Sequence, residues 1–277
     1  MRRIVHSGVS ALAIVLIILL IAPMAEGLEV EGWPGYTWGR LAHDLRGKYG
    51  DSVNALVNQG IAWTTLPGDV TFETYVEGSF ADRNMDINWF NSNGTAEGIR
   101  FTKDFVKFGY EASQLTYSVN GEYTELDQLF VTWYYDWYSY MKRRRGGEGW
   151  PFSALRGSSW GRIRDDLSNQ EGVSVATFIN QGIDWFTLPG NITFNTFVEY
   201  HLAYRTQNPK WFNAHGPAVG FEFRKSAFNL GMDWYWETLT EQQDSTYMYW
   251  RCYLQWFFDW DLKSGGGEER TRWDMRR

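Results

Sequence analysis

The residues best placed to do acid–base chemistry lie in one short run. Glu199, His201 and Arg205 occupy alternating positions, so on an extended strand they share one face. A carboxylate, an imidazole and a guanidinium on one face could move a proton in a dry interior. The matching stretch earlier in the chain carries Glu77, Ser79 and Arg83, without the imidazole, and no nucleophile is indicated by spacing. An ion-pair network is therefore the better reading of this face. Asp82, Asn84, Asp86 and Asn88 have the alternate-oxygen spacing of a calcium loop, but Ile87 and Asn93 stand where a glycine and a glutamate belong. A plain polar loop explains them better. His6, His43, His201 and His215 are scattered and Cys252 is the only cysteine, so no metal site, cofactor or intramolecular disulfide is expected.

The elements that must position these side chains are written twice. Trp38-Gly39-Arg40-Leu41 with Asp44-Leu45 returns about 122 positions later as Trp160-Gly161-Arg162-Ile163 with Asp166-Leu167. Asn58-Gln59-Gly60-Ile61, Trp63 and Leu66-Pro67-Gly68 return as Asn180-Gln181-Gly182-Ile183, Trp185 and Leu188-Pro189-Gly190. Trp89-Phe90-Asn91 matches Trp211-Phe212-Asn213 and, after one residue of slippage, Trp133 to Trp137 matches Trp256 to Trp260. A repeat held in register over this length implies two copies of one structural unit.

Within each copy the hydrophobic period is two. Phe194, Val198 and Leu202 alternate with Asn195, Glu199, His201 and Arg205; Val219, Phe221 and Phe223 alternate with Glu222 and Arg224. Leu230, Trp234 and Trp236 oppose Asp233, and Trp250, Trp256 and Trp260 oppose Arg251. The first copy repeats this, with Arg83, Arg100 and Lys107 on the polar face beside Glu77, Glu111 and Asp136, and with Val131, Trp133 and Trp137 on the apolar one. This predicts four strands per copy and eight in all. Thr37, Ser52, Ser159 and Ser174 read as N-caps of two short helices before each set, ended by Gly60 and Gly182. The competing possibility makes Gly60–Leu66 and Gly182–Leu188 a fifth strand of each copy, ten in all.

Composition narrows the class. Aromatic residues make up 18% of the chain, with 16 Trp, yet no long apolar run follows the N-terminus. Alternating strands, not membrane helices, produce that combination. The net charge of -7 argues against nucleic acid as a partner. Arg2 and Arg3 ahead of the apolar Ala11–Ala22 stretch, with Ala25 and Gly27 beyond it, read as a secretory signal.

Two closed barrels suit these strands: a soluble one with the apolar face inward, or a membrane one with that face toward lipid. The large tryptophans decide for lipid, because a small barrel core has no room for Trp133, Trp137, Trp234, Trp236, Trp250, Trp256 and Trp260. Tight turns near Lys103-Asp104 and Lys225-Ser226, against longer connections at 84–95 and 115–127 and their repeats, add the loop asymmetry of such barrels.

Signal, alternating strands, girdle-like aromatics and loop asymmetry together resemble the outer-membrane β-barrel proteins of Gram-negative bacteria. The chain then divides into a signal peptide at 1–27, a first repeat at 28–141, a basic Gly-rich linker at 142–158, a second repeat at 159–263 and a disordered tail at 264–277. The resemblance implies an exported protein in contact with outer-membrane lipid. Its interior would be plugged by a charge network of Glu77, Arg83, Arg100, Glu111, Glu199, His201, Arg205, Glu222, Arg224, Asp233 and Arg251, and its seven tryptophans would meet the lipid interface. The expected role is structural, anchoring or adhesive, toward an extracellular or periplasmic protein or glycan, and the reading leans against an enzyme. The alternative is a soluble periplasmic or secreted β-protein that binds carbohydrate or another ligand through its aromatics.

Overall fold

The computed structural model describes residues 30–47, 50–84, 92–117, 123–140, 152–168, 170–207, 213–240 and 245–262. They form twelve antiparallel strands: β1 (Trp33–Asp44), β2 (Asp51–Leu66), β3 (Val70–Arg83), β4 (Ser92–Lys103), β5 (Val106–Tyr117), β6 (Tyr123–Tyr140), β7 (Ala154–Asp166), β8 (Val173–Leu188), β9 (Ile192–Arg205), β10 (Ala214–Lys225), β11 (Phe228–Leu239) and β12 (Ser245–Leu262). Each strand pairs with its sequence neighbours and β1 pairs with β12, so the sheet closes and leaves no edge. Among the described residues there is no helix.

The expected eight- or ten-stranded barrel with leading helices is thereby corrected. The Trp-Gly-Arg segments are β1 and β7, and the segments that were to be capped helices are the first halves of β2 and β8. Two physical causes hid them. On β1 the outward positions include Gly35 and Gly39, which show no apolar side chain of their own. The indoles of Trp260 and Trp256 on β12 lie over them, so closely that a Cβ on either glycine would fall inside the ring. Gly157 and Gly161 on β7 are covered in the same way by Trp137 and Trp133 of β6. The second cause is a bulge: the register of β2 on β3 shifts between Ala62 and Thr64, and that of β8 on β9 between Asp184 and Phe186. The extra residue is Trp63 or Trp185, the thirteenth of sixteen in its strand, and it breaks the period of two near the tight-turn end.

The burial pattern is inverted relative to a soluble protein. The largest fully buried side chains are Gln128, Glu111, Asn58, Asn195, Asn213 and Asp233, whereas Val76, Val198 and Leu230 are 58%, 56% and 59% exposed. Polar groups thus fill the interior and aliphatic ones form the outer wall, the opposite of the partition that water enforces. Strands of 12 to 18 residues are long enough to cross a hydrocarbon layer.

One end of the barrel has tight turns at 67–69, 104–105, 189–191 and 226–227, and the first strand begins, the last strand ends and the 141–153 connection between β6 and β7 starts and finishes there; the other end carries six connections of five to eight residues. Asp69, Asp104, Asn191 and Ser226 take left-handed φ of 52 to 59° at these turns. The signal segment, the basic stretch up to 151 and the tail lie outside the described residues, as do Asp86 and Asn88 and the loop aromatics Trp89, Phe90, Trp211 and Phe212. Ala154–Ser158, read from the sequence as the end of the linker, already belong to β7.

Because the Trp–Gly contacts hold both β1–β12 and β6–β7 together, Gly161→Ala is expected to displace the Trp133 indole and cost about 1 to 3 kcal/mol by overpacking. Urea unfolding in detergent measures this; an unchanged midpoint would show that the ring swings away freely.

Candidate functional site

The lumen holds the chemistry, because alternation along every strand turns one side chain in two toward the axis. All eleven residues expected in the interior network point inward. Much of the inward-facing charge gathers in two clusters, with aromatic rings between them.

The first cluster lies against β3 to β5 and is completed by β7. Arg162 reaches across the lumen to Glu77 on β3 and to Glu111 on β5. Arg164 also pairs with Glu111, at 3.2 Å. Glu111 has no solvent exposure and accepts a further hydrogen bond from the Tyr75 hydroxyl at 2.7 Å. Asn58 donates to Glu77 at 3.1 Å, and Arg100 is held between Glu73 and Asn58.

The second cluster lies against β9 to β12 and is completed by β1. Asp233 takes two hydrogen bonds from Arg251, at 2.8 and 2.7 Å, and one from Arg40, at 2.7 Å. The guanidinium of Arg251 stacks on the Tyr235 ring at 3.9 Å, and that of Arg40 on Tyr253 at 4.0 Å. Glu222 pairs with Arg224 and accepts from the Tyr253 hydroxyl. Arg83 lines a cavity of about 200 Å³ at the long-loop end together with Glu237 and Tyr249.

Between the clusters the lumen is bridged by rings. β6 and β12 stand on opposite walls, six strands apart either way round. Tyr134 from β6 nevertheless stacks on Phe257 from β12, with centroids 5.9 Å apart and planes 16° apart. Tyr36 stacks on the same Phe257 at 6.3 Å, and its hydroxyl reaches Glu77 at 3.4 Å. Within this constellation basic groups match acidic ones, with Arg40, Arg100, Arg162, Arg164, Arg224 and Arg251 facing Glu73, Glu77, Glu111, Glu199, Glu222 and Asp233.

The acid–base face proposed from sequence is not assembled. Glu199 accepts from Asn180 at 3.2 Å, His201 stacks on Tyr235 at 4.3 Å with neither ring nitrogen hydrogen-bonded, and Arg205 turns to Glu171 at 2.8 Å. Sequence reasoning missed Arg40 and Arg162, the two arginines that complete the clusters, because they stand in segments read as helices. Their repetition within Trp-Gly-Arg was the available signal. All seven singled-out tryptophans lie on the outer wall. Trp133, Trp137, Trp256 and Trp260 are toward the tight-turn end, and Trp234, Trp236 and Trp250 form a stack toward the other, with centroid distances of 4.2 and 5.3 Å. Three of these indoles donate to a neighbour, Trp133 to Ser159, Trp137 to Gln181 and Trp260 to Gln59, whereas the indole N–H of Trp234 is buried in the ring stack without a hydrogen-bond partner.

No protein-family model matches this chain, and no curated protein matches it. Among solved structures it is similar to the beta domain of the Bordetella autotransporter Brka (9% identity, TM-score 0.37, covering 85% of this chain and 100% of that one). It is also similar to LpxR from Salmonella typhimurium (8%, 0.37, 80% and 100%) and to the KdgM porin (11%, 0.33, 80% and 98%). A closed antiparallel barrel that is apolar outside, charged within and free of sheet edges has the architecture of outer-membrane β-barrel proteins, and this chain has that architecture.

Proposed function

We propose that the protein is exported to the outer membrane and spans it as a plugged barrel, made of two tandem units of six strands, with an anchoring or adhesive role. The tight turns, the termini and the 141–153 connection face the periplasm, and the six connections of five to eight residues face outward, where they meet an extracellular protein or glycan. The two sets of outer-wall tryptophans sit at the two lipid–water interfaces, where an aromatic body and a polar N–H are both accommodated. The observation that carries the plugged reading is the contact of Tyr134 with Phe257 from the opposite wall, flanked by Arg162 to Glu77 and Glu111 on one side and Arg40 to Asp233 on the other. Twelve strands alone leave more room than eight, so it is these side chains that close the lumen.

Planar-bilayer recording tests this. The wild-type barrel is expected to give no sustained open-channel steps, and the double variant Tyr134→Ala, Phe257→Ala to give discrete ones. Steady conductance by the wild type would sink the plugged reading. Membrane residence is checked separately: the mature protein should stay with outer membranes through a carbonate wash and leave them only in detergent, and release into the wash would favour the soluble alternative.

A further inference from the structure

We infer that the outer wall carries a thiol-dependent acyl-ester site, formed by Cys252, His43 and Asp51 on three adjacent strands and directed at membrane lipid. The inference rests on the membrane-spanning reading above. In the sheet register Cys252 of β12 stands directly opposite His43 of β1, and His43 stands directly opposite Asp51 of β2. All three project outward. Side chains directly opposed on antiparallel strands have Cβ atoms about 4.5 to 5.5 Å apart; no hydrogen bond joins the Cys252 thiol to the imidazole in the structure, and the proposed reaction requires a rotation about the Cys252 Cα–Cβ bond to bring the two together. His43 Nδ1 lies 2.7 Å from Asp51 Oδ1, so its N–H is donated to the carboxylate and Nε2 is left as the base. Asp51 is itself fixed by Asn84, whose side-chain amide donates to Oδ2 at 3.1 Å and whose Oδ1 accepts from the Asp51 N–H at 2.8 Å. A nucleophile, a base and an orienting acid in sequence is the arrangement that covalent catalysis requires.

The same three residues line a groove of about 470 Å³ that continues down the wall between Leu41, Leu230 and Leu254. Leu41 and Leu254 lie two residues from His43 and Cys252 along their strands, toward the middle of the barrel, while β1 ends just beyond, at Asp44. The polar trio thus sits where the apolar wall gives way to the long-loop end. A lipid presents its ester bond at that level, between acyl chain and head group, with the chain lying against the leucines. Among the described residues the trio is not repeated at the second junction, between β6, β7 and β8. At the matched positions Phe108 replaces Leu230, Leu129 replaces Cys252, Tyr204 replaces Asp82, and Asp165 and Val173 stand for His43 and Asp51. The second junction, otherwise built alike, has neither the trio nor the smaller side chains that open the space.

The chemistry balances without a metal or redox partner. His43 Nε2 takes the Cys252 proton, and sulfur attacks the ester carbonyl carbon. Collapse of the tetrahedral intermediate breaks the acyl C–O bond, and the imidazolium protonates the departing alkoxide. The acyl group remains as a thioester on Cys252. Water then attacks with its proton passing to His43, the C–S bond breaks, and a fatty acid leaves as the thiol is restored.

The test uses the purified full chain reconstituted into vesicles of 1-palmitoyl-2-oleoyl-phosphatidylcholine with a radiolabelled acyl chain. Vesicle flotation confirms insertion, and gel mobility before and after heating confirms that each variant has folded. Expected are release of fatty acid and a hydroxylamine-labile acyl adduct on the Cys252 peptide, both lost in Cys252→Ala. His43→Ala should slow turnover about 10²- to 10⁴-fold, as loss of a general base does. Asp51→Asn, which keeps the shape of the side chain, should lower turnover less. Wild-type protein that floats with vesicles but releases no acyl chain overturns the ester site and leaves the membrane reading standing; so does undiminished release by Cys252→Ala. Failure to float overturns both.

Discussion

Arg162→Ala is expected to lower the stability of the folded barrel by about 3 to 5 kcal/mol, the cost of leaving buried carboxylates without their cation. Glu111 has no solvent exposure and Glu77 only 8% of its side chain exposed, so neither can fall back on water. Arg164 still holds one oxygen of Glu111, which places the loss toward the lower end of that range. The matched arginine gives the comparison. Arg40→Ala removes one of three hydrogen bonds to Asp233 and leaves the two from Arg251 in place, so about 1.5 to 3 kcal/mol is expected there. Urea unfolding of the two variants in the same detergent ranks them. If Arg40→Ala is the more damaging, the clusters are not held as described. Adding Glu77→Gln to Arg162→Ala should recover part of the loss, because it removes one of the stranded charges.

The second large effect lies on the outer wall. Val198 is half exposed in mid-strand, and Val198→Arg is expected to cost about 2 to 4 kcal/mol if that position lies at the membrane midplane, and to impair insertion. His201→Ala, on the inner face, removes no hydrogen bond and loses a ring stack worth about 0.5 to 1.5 kcal/mol. A lipid-soluble photolabel gives an independent reading of the same face. Val198, Trp234, Trp250 and Trp256 should be labelled, and Glu111, Glu199 and Arg251 should not. Labelling of the inner set would mean that lipid reaches the lumen and that the plug is open.

Much of the barrel is legible in the sequence wherever a strand carries its own apolar side chains. On β3 to β6 and β9 to β12 the alternation separates Val76, Val198 and Leu230 from Glu77, Glu111 and Asp233, and the structure places the two sets on opposite faces. Tight turns at Asp104 and Ser226 are likewise readable, because short polar connections between alternating runs leave few other conformations. The strand count is not readable in this way. On β1 and β7 the outward sites are glycines whose cover is a tryptophan from the neighbouring strand, so half of each pattern is written elsewhere in the chain. On β2 and β8 a bulge at Trp63 and Trp185 shifts the phase.

The partners of the buried charges also escape the sequence. That Arg162 meets Glu77 and Glu111, and Arg40 meets Asp233, depends on which walls face each other across the lumen, and this is set by the number of strands that close the sheet. The outer-wall trio shows the same limit most plainly. His43 and Asp51 are near one another in the chain, but Cys252 joins them only because the last strand pairs with the first. By itself the sequence determined which face of most strands is apolar and that the chain is built as a membrane barrel. Which residues from distant strands touch was decided by closure, because contacts across a lumen or a seam depend on long-range register, which local alternation does not encode.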